Sequence, residues 1–395
     1  MVILRRFLHV ASIWVLPHAW LVSNAAPLNP GTDAPTYIVK LKNGVDPNAH
    51  LASLGIERTD DRVFAGHALN GYTARLTDST VSLLKEKYSQ EIEYVEKDQT
   101  VQLASKVVQS DAPWGLQRIS QSTTLSNISN VTALNYTYIY DSKAGEGIDI
   151  YIFDTGVYAE HEEFAGRITR SPMFSKTITP GDFDGHGTHC AATAAGTKYG
   201  VAKKAHIIDV KVFPDEGFGQ LSYILSGLDW AVSNAKTTNR TGVISMSLGV
   251  TASKAFEDTV RSVISSGLTV VVSAGNSASP ASEWSPANVE QAITVGNVEI
   301  TGRMWPYSNY GSAVDIFAPG TNVVSAGLGN PRATKIDSGT SMSAPHVAGI
   351  AAYLLSLEGP RTPAGISARI KELAVPGIFG GLPPNTTNLV AQLPF

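Results

Sequence analysis

Cysteine is nearly absent from this chain: Cys190 is the single one among 395 residues. One thiol excludes an intramolecular disulfide, so the fold must depend on an apolar core, for which the hydrophobic content of 43% is ample. Charge is also scarce, at 16% of residues with a formal net charge of −4, which argues against nucleic acid as a partner. Beyond the N-terminus no apolar run is long enough to span a membrane, so we expect no membrane partner for the mature protein.

An apolar N-terminal segment runs from Phe7 to Val22, after two arginines and before the small residues that end at Ala26. This pattern is typical of a secretory signal peptide at residues 1–26, so we expect a secreted, extracellular protein. An uncleaved anchor is the alternative, which Pro17 disfavours. Asn-x-Ser/Thr sequons predict a glycoprotein, although three of them crowd together; they are Asn127, Asn130, Asn135, Asn239 and Asn385.

A candidate nucleophile, Ser341, lies in the run Ser-Gly-Thr-Ser-Met-Ser-Ala-Pro-His-Val-Ala-Gly at 338–349, at the mouth of an apolar helix (347–357). Gly339 permits a sharp bend, and Pro345 is expected in the first helical turn, where its missing N–H costs little. The free N–H groups of a helix N-terminus would stabilise an oxyanion there. An ordinary helix-capping serine is the alternative, and a nucleophile needs a base.

A candidate base, His186, lies between two glycines in the run Asp-Gly-His-Gly-Thr-His-Cys at 184–190. The glycines allow a substrate or a second side chain to approach it closely. His189 is interpreted as a core histidine, because a metal site that used both histidines would lack the His-Glu-x-x-His spacing. Cys190 follows His186 by four residues, so on a helix it turns to the same side, where we expect it to be buried.

A candidate acid, Asp154, ends the mostly apolar run that starts at Ile148 and predicts a buried strand. Open α/β sheets place their ligands at the carboxyl ends of such strands, although an Asp before Gly156 is also common in turns. In acyl transfer, Ser341 would attack the carbonyl and His186 would take and return the proton. Asp154 would hold the imidazole tautomer and stabilise its charge, which completes a predicted catalytic triad.

The order Asp, His, Ser is that of subtilisin, and all three motifs resemble the subtilisin superfamily, most of all its proteinase K-like branch. The resemblance covers roughly residues 107–395. Four further runs carry it: Asp111–Ile119, Ser247–Gly249, Ala274–Asn276 and Asp315–Gly320. It implies a serine endopeptidase that hydrolyses peptide bonds of proteins and needs no cofactor for catalysis.

The resemblance also implies that the side-chain amide of Asn276 donates to the oxyanion, although an Asn after Gly275 is common in turns. Extended edges would flank the substrate, and small uncharged walls would form the pocket for the residue before the cut. These edges and walls are Gly217, Phe218, Gly219, Ser247, Leu248, Gly249, Ser273, Ala274 and Gly275. A peptide that adds as a strand is bound through its main chain, so we expect broad specificity with apolar or aromatic residues before the cut.

A structural calcium ion is a further expectation from the proteinase K-like branch. Asp315 matches a carboxylate ligand of that branch, and Glu290 and Ala292 match residues that bind through backbone carbonyls. Calcium accepts such mixed sets of hard oxygen ligands. An Asp that caps a turn before Pro319 is the alternative.

A separate small unit at residues 27–106 precedes the motifs. Its order of strand, helix, two strands, helix and strand predicts an α+β ferredoxin-like domain, with a helix over Asp78–Tyr88 capped by Asp78 or Ser79. The unit resembles the inhibitor-type propeptides of subtilases, which implies that it aids folding and then blocks the active site as an intramolecular inhibitor. Cleavage near Lys106 would release it; an independent binding domain is the alternative.

The main domain, residues 107–395, alternates apolar strands with helical segments. This pattern predicts an α/β fold with a mainly parallel sheet and helices on both faces, and we expect a monomer. The predicted strands are 148–153, 206–212, 242–246, 268–273 and 292–298, and the predicted helices are 186–196, 220–235, 252–266 and 340–357.

An aspartic protease is the main rival, because Asp154-Thr-Gly and Asp337-Ser-Gly resemble the two signatures of that class, whose carboxylates share a proton. That class is mainly β, however, and it leaves the histidine run at 184–190 without a role. A secreted glycoprotein with a decayed site is a third alternative, which the complete triad and Asn276 oppose.

Overall fold

A computed structural model describes residues 34–55, 63–65, 68–99, 106–125, 130–214, 219–378 and 380–394. The chain divides into two compact units, Met1–Leu103 and Ala104–Phe395, at a boundary close to the predicted cut near Lys106. Three predictions lie outside the described residues: the signal peptide at 1–26, the sequon at Asn127 and the substrate edge at Gly217 and Phe218.

The described part of the first unit contains the elements β1 (Thr36–Leu41), α1 (Pro47–Leu54), β2 (Val63–Ala65), β3 (Asn70–Arg75), α2 (Asp78–Lys87) and β4 (Ile92–Lys97). Its strands form one antiparallel sheet in the order β2-β3-β1-β4, which confirms the predicted ferredoxin-like arrangement. The core of this unit is apolar, and the side chains of Leu41, Tyr72 and Leu84 are fully buried in it.

Helix α2 is capped by Thr77, so the prediction of Asp78 or Ser79 as its cap is wrong. The Thr77 hydroxyl accepts from the Thr80 N–H at 3.2 Å, and the Thr77 backbone is extended (φ −81°, ψ 160°), as a capping residue requires. Asp78 instead lies in the first turn, where its negative charge faces the positive end of the helix dipole.

The second unit begins with β5 (Lys106–Ala112), α3 (Trp114–Ile119) and β6 (Tyr136–Asp141), and β5 pairs with β6. The helices and strands that follow are, in chain order, β7 (Asp149–Asp154), β8 (Ile168–Arg170), α4 (His186–Ala195), β9 (His206–Lys211), α5 (Leu221–Thr238), β10 (Gly242–Met246), β11 (Val250–Thr251), α6 (Lys254–Ser265), β12 (Thr269–Ser273), β13 (Trp284–Ser285), β14 (Ile293–Val298), β15 (Ile316–Pro319), β16 (Val323–Ala326), β17 (Thr334–Asp337), α7 (Thr340–Glu358), α8 (Pro363–Leu373), β18 (Val375–Pro376) and β19 (Leu389–Val390).

The central sheet of the second unit has nine strands in the order β18-β19-β15-β14-β12-β10-β7-β9-β8. Every neighbouring pair is parallel except β18 with β19. Ile150 and Ile152 pack in a core with α4 and α7, whereas Tyr151 and Phe153 pack in a second core with α5 and α6. Helices therefore cover both faces, which confirms the predicted α/β fold.

Three adjacent strands of this sheet end where the motifs lie. β7 ends at Asp154, β10 ends just before Ser247, and β12 ends shortly before Asn276. Helices α4 and α7 pack against each other, and they begin at His186 and one residue before Ser341. The motifs thus meet at the carboxyl edge of the sheet. Among the described residues, no helix combines the length and apolar character needed to cross a bilayer.

Candidate active site

His186 and Asp154 are directly hydrogen-bonded, with 2.7 Å between His186 Nδ1 and Asp154 Oδ1. An ionised carboxylate only accepts, so Nδ1 donates and Nε2 keeps a lone pair that can take a proton. The Asp154 side chain is 3% exposed, whereas 26% of the His186 side chain is exposed. Asp154 Oδ1 also accepts from the Thr155 N–H at 2.8 Å, which fixes the carboxylate. The pair therefore combines a buried anion with an accessible imidazole, as a general base requires.

Two opposing effects set the pKa of His186. Burial favours the neutral imidazole, but the negative charge of Asp154, the neighbouring Cys190 and the hydrogen bonds to both favour the cation. The attraction outweighs burial, so the pKa of His186 lies well above its ordinary value of 6.5.

The two glycines beside His186 allow α4 to begin next to β7. Gly185 caps α4 with a left-handed backbone (φ 89°) that favours glycine. A Cβ at Gly187 would lie 2.2 Å from the Gly156 carbonyl oxygen and 3.0 Å from Asp154 Cβ. The close approach that the glycines predict is therefore made by the chain segment at the end of β7.

Asp182 is a buried carboxylate that sequence analysis missed. Its Oδ1 accepts from the Thr155 hydroxyl at 2.9 Å and from the Gly185 N–H at 2.9 Å. Its Oδ2 accepts from the N–H of Thr188 at 2.9 Å and from the Thr188 hydroxyl at 2.6 Å. These bonds tie the end of β7 to the first turn of α4 and so position the imidazole of His186. An Asp just before a helix with Thr in its first turn is the only local signal, and it is a weak one.

Ser341 lies in the first turn of α7 and is partly exposed. The Cys190 Sγ is 3.3 Å from the Ser341 carbonyl oxygen and 3.9 Å from His186 Nδ1, so the candidate nucleophile and base are neighbours. Cys190 is 1% exposed, which confirms its predicted burial on the same side of the helix as His186.

Pro345 lies inside α7, so the prediction that it occupies the first turn is wrong. The helix begins at Thr340, ahead of the apolar run that marks its later turns. Most of the residues between Thr340 and Pro345 are buried, and the helix continues through the proline although its ring removes one backbone hydrogen bond.

Asn276 is anchored through its amide oxygen. Asn276 Oδ1 accepts from the Thr340 N–H at 2.9 Å and from the Thr340 hydroxyl at 2.8 Å. Its Nδ2 lies beside Gly339, since a Cβ on that glycine would be 3.2 Å away. Gly275 has a left-handed backbone (φ 103°) and donates its N–H to Thr340 Oγ1. The amide N–H₂ is thus oriented towards the start of α7, as an oxyanion-hole donor requires. Thr340 had no predicted role.

The predicted substrate edges differ in burial. Ser247 is half-buried and Gly249 is exposed, whereas Leu248 is 8% exposed and packs in the core with α5 and α6. Ala274 is buried, and its carbonyl already accepts from Asn309 Nδ2 at 2.9 Å. The other described members are the buried Ser273 and the half-buried Gly219 and Gly275. Main-chain atoms and small side chains therefore make up most of the accessible surface of these edges.

Asp315, the predicted calcium ligand, contacts a lysine. Its Oδ1 accepts from Lys371 Nζ at 2.6 Å, and its Oδ2 accepts from a backbone N–H at 2.8 Å. Asp315 and Glu290 line a pocket of about 350 Å³ with Asn288, whose buried Oδ1 has no hydrogen-bond partner among the described residues. Ala292 is buried. Hard oxygens such as these fit calcium, but a bound cation would have to displace the Lys371 ammonium.

Asp337 and Asp154 each pair with a basic side chain and not with each other. Asp337 Oδ2 lies 3.1 Å from Lys335 Nζ and Asp337 Oδ1 accepts from the Ser338 N–H, while Asp154 is bonded to His186. Two carboxylates that each face a basic side chain have no reason to share a proton. This arrangement argues against the aspartic-protease alternative.

His189 is a core residue, as predicted. It is fully buried, and its Nε2 is 2.9 Å from the Val323 carbonyl oxygen, to which it donates. Burial lowers its pKa to about 4, so it is neutral at physiological pH. A metal site shared by His186 and His189 finds no support here.

Comparison with known protein families distinguishes between the remaining alternatives. The model of the subtilase family matches residues 145–389, and the model of peptidase inhibitor I9 matches residues 36–104. The chain belongs to the subtilase family. It is therefore a subtilisin-like serine protease, and the matching inhibitor domain confirms the predicted propeptide. The cuts after residues 26 and 106 stay predictions.

Relatives of this subtilase cover nearly its whole length. It is 40% identical to "Subtilisin-like protease 2" of Pseudogymnoascus destructans, over 90% of this chain and 88% of that protein. It is 39% identical to the "Cuticle-degrading protease" of Metarhizium anisopliae, over 91% of this chain and 89% of that protein. Among solved structures, a cold-adapted subtilisin-like serine proteinase is similar, with 36% identity and a TM-score of 0.62 over 72% of this chain and 98% of that one.

Proposed function

We propose that this subtilase is a secreted endopeptidase of broad specificity, made as a zymogen that processes itself. Its catalytic residues are Asp154, His186 and Ser341, and Asn276 is the side-chain donor of the oxyanion hole. The observation that carries the proposal is the 2.7 Å bond between His186 Nδ1 and Asp154 Oδ1, next to the start of α7.

The reaction is an acyl transfer in two stages. His186 Nε2 takes the proton of Ser341 as its Oγ attacks the substrate carbonyl, and Asp154 stabilises the imidazolium that forms. The Asn276 amide and the free N–H groups of the first turn of α7 stabilise the oxyanion. His186 then gives its proton to the leaving amine, which departs and leaves the acyl group on Ser341. In the second stage His186 takes a proton from a water molecule as that water attacks the acyl group, and it returns the proton to Ser341 Oγ as the acid product leaves.

A pair of inhibitors tests this assignment. A serine-directed sulfonyl fluoride should abolish activity and add its mass to the peptide that contains Ser341, whereas a statine-type inhibitor of aspartic proteases should have no effect. Ser341→Ala is the control, because it should take up no label. Inhibition by statine, or a label confined to another residue, would contradict the proposal.

The substrates we infer are extended segments of proteins. Support comes from the partly exposed edge at Ser247–Gly249, and from the pocket walls at Ser247–Gly249 and Ser273–Gly275, whose side chains are small or apolar and carry no charge. Such edges bind a peptide backbone with little regard to its sequence, and they favour an apolar or aromatic residue before the cut. A peptide series varied at that single position should show at least ~10-fold higher kcat/KM for Phe or Leu than for Asp or Lys. Equal kcat/KM values for all four residues would contradict the proposed apolar pocket for the residue before the cut.

The propeptide is proposed to be an intramolecular inhibitor that is cut off near Lys106. The I9 match at residues 36–104 supports this role. Lys106 is exposed and is the first residue of β5, so a cut there removes little from the second unit. The isolated propeptide, added back to mature protein, should inhibit it; an absence of inhibition at micromolar concentration would contradict the role.

Secretion and glycosylation complete the proposal, together with a monomeric mature protein. The four described sequon asparagines are exposed, which suits acceptor sites; they are Asn130, Asn135, Asn239 and Asn385. An endoglycosidase should lower the apparent mass of the secreted protein, and peptide mapping should assign the occupied sites. An unchanged mass from a glycosylating host would show that none of them is used.

Calcium is proposed as a structural ion with Asp315 as its carboxylate ligand and backbone oxygens of Glu290 and Ala292 as further ligands. The unpartnered Asn288 Oδ1 in the same pocket supports a cation there. When bound, calcium would supply a fixed positive charge that links β15 to the segment before β14. Binding would require the ammonium of Lys371 to move off Asp315.

A further inference from the structure

The Ser341 carbonyl lacks the donor that an α-helix normally supplies. In a helix this oxygen accepts from the N–H of the residue four positions later, and that residue is Pro345, which has no N–H. The proline ring also presses against this carbonyl and pushes it away from the helix axis. A buried carbonyl without a partner would be costly at the residue that carries the nucleophile.

Two side chains from other elements donate to this carbonyl instead. Ser247 Oγ, which follows β10, donates to the Ser341 oxygen at 2.8 Å. Cys190 Sγ, on α4, donates to the same oxygen at 3.3 Å and lies 3.9 Å from His186 Nδ1. Both groups are held in place, because Cys190 is 1% exposed and Ser247 is half-buried.

We propose that Ser247 and Cys190 are positioning residues for the nucleophile, which replace the backbone donor that Pro345 removes. Their two hydrogen bonds fix the peptide plane after Ser341 and so the direction of its side chain towards His186. This role rests on the proposed function of Ser341. In it Cys190, the single cysteine of the chain, acts as an uncharged hydrogen-bond donor between His186 and Ser341.

A mutant cycle that includes Pro345→Ala tests this role. Ser247→Ala should lower kcat about fivefold, the effect of one neutral hydrogen bond, and Cys190→Ala about twofold, because a thiol is a weak donor. KM should stay within about twofold for both, since neither side chain is needed for the main-chain contacts of the substrate. The rate of sulfonyl fluoride labelling of Ser341 should fall in parallel with kcat.

Pro345→Ala restores the missing N–H, so it should rescue the other variants. The double variant Ser247→Ala/Cys190→Ala should lose about tenfold in kcat with Pro345 present, but less than about twofold in the Pro345→Ala background. Equal losses in both backgrounds, or no loss with Pro345 present, would overturn the proposal. If the double variant fails to fold, Cys190→Ser keeps a donor and should retain more activity than Cys190→Ala; the reverse order would overturn the proposal as well.

Ser343→Ala is the matched control. Ser343 is buried on the same helix and its Oγ donates to the Ala318 carbonyl at 2.9 Å, so its loss removes an equivalent bond away from the site. Ser343→Ala should lower the melting temperature, and any change in kcat that it causes should be the same with Pro345 present and in the Pro345→Ala background. Failure of the proposed function is a separate outcome, because the unsubstituted protein would then show no sulfonyl fluoride label on Ser341.

Discussion

The first turns of α4 and α7 each position one member of the proposed triad, but they do so with different chemistry. His186 is held by carboxylates: Asp154 accepts from its ring, and Asp182 accepts from the backbone around it. Ser341 is held by neutral groups, of which Ser247 is the stronger donor to its carbonyl. The base is therefore sensitive to charge and pH, whereas the nucleophile is sensitive to the truncation of small polar side chains.

The difference follows from the charges that the reaction creates. In the proposed mechanism a positive imidazolium forms at His186, so a nearby anion lowers its energy. A negative oxyanion forms next to Ser341 in the same mechanism, and a carboxylate there would repel it. Neutral hydroxyl, thiol and amide groups can fix the backbone on that side without opposing the reaction.

Among all changes around His186 or Ser341, removal of the nucleophile should lower kcat the most. Ser341→Ala should lower kcat on the order of 10⁶-fold, since no other group can form the acyl intermediate. The variant should still fold, and residues 27–106 should remain covalently attached because the precursor cannot cut itself. The size of the product secreted from a host without other processing proteases checks this.

Asp337→Asn is the matched control for maturation. Asp337 pairs with Lys335 outside the triad, so this variant should process nearly normally. Self-maturation of Ser341→Ala in the same host would refute the serine-protease mechanism, and a maturation block confined to Asp337→Asn would restore the aspartic-protease alternative.

Loss of the buried anion should be the next largest effect. Asp154→Asn should lower kcat by roughly 10⁴-fold, because the amide can hold the imidazole in the wrong tautomer and cannot stabilise its positive charge. Steady-state kinetics of the mature variant measure this. A loss below about tenfold would mean that Asp154 only fills space beside His186.

Loss of the neutral oxyanion donor should cost less. Asn276→Ala should lower kcat by roughly 10²- to 10³-fold with a much smaller change in KM, because the amide acts mainly on the transition state. An unchanged kcat would leave Asn276 as a turn residue. Thr340→Val sharpens the test, since it removes the hydroxyl that holds Asn276 Oδ1 and should reduce kcat by a smaller factor, about fivefold.

The pH profile tests the charge on the α4 side. The base must be neutral to act, and the anion of Asp154 raises the pKa of His186 above 6.5. The kcat/KM value should therefore rise tenfold per pH unit at acidic pH, reach half of its maximum at a pH above 6.5, and level off beyond that midpoint. Ser247→Ala, which changes an uncharged group beside Ser341, should leave that midpoint unchanged. A midpoint at or below 6.5, or an optimum near pH 3 to 4, would contradict this account.

The sheet and the residues of the proposed triad could be found in the sequence because their signals are local: an apolar run that ends in Asp154, and a histidine between two glycines. Their supporting residues could not, because their bonds join distant positions. Asp182 bonds to a hydroxyl 27 residues away, and Thr340 bonds to an amide 64 residues away. A single polar residue leaves no periodic pattern, whether it is buried or exposed, so the exposed Lys371, which contacts Asp315 across 56 residues, gave no signal either.

The smallest effect on catalysis should come from Asp315, which precedes β15 and so lies at the amino edge of the sheet, opposite the proposed triad. Chelation should lower the melting temperature by ~5–10 °C and barely change initial activity, because an ion bound only by the folded state contributes about 3 kcal/mol at 100 times its Kd. Asp315→Asn should remove that response. Lys371→Met should enlarge it, because the ammonium that competes with calcium for Asp315 Oδ1 is gone. If chelator leaves the melting temperature unchanged in both the unsubstituted protein and Lys371→Met, calcium does not bind at Asp315. The Lys371 ammonium would then be the permanent cation of this carboxylate.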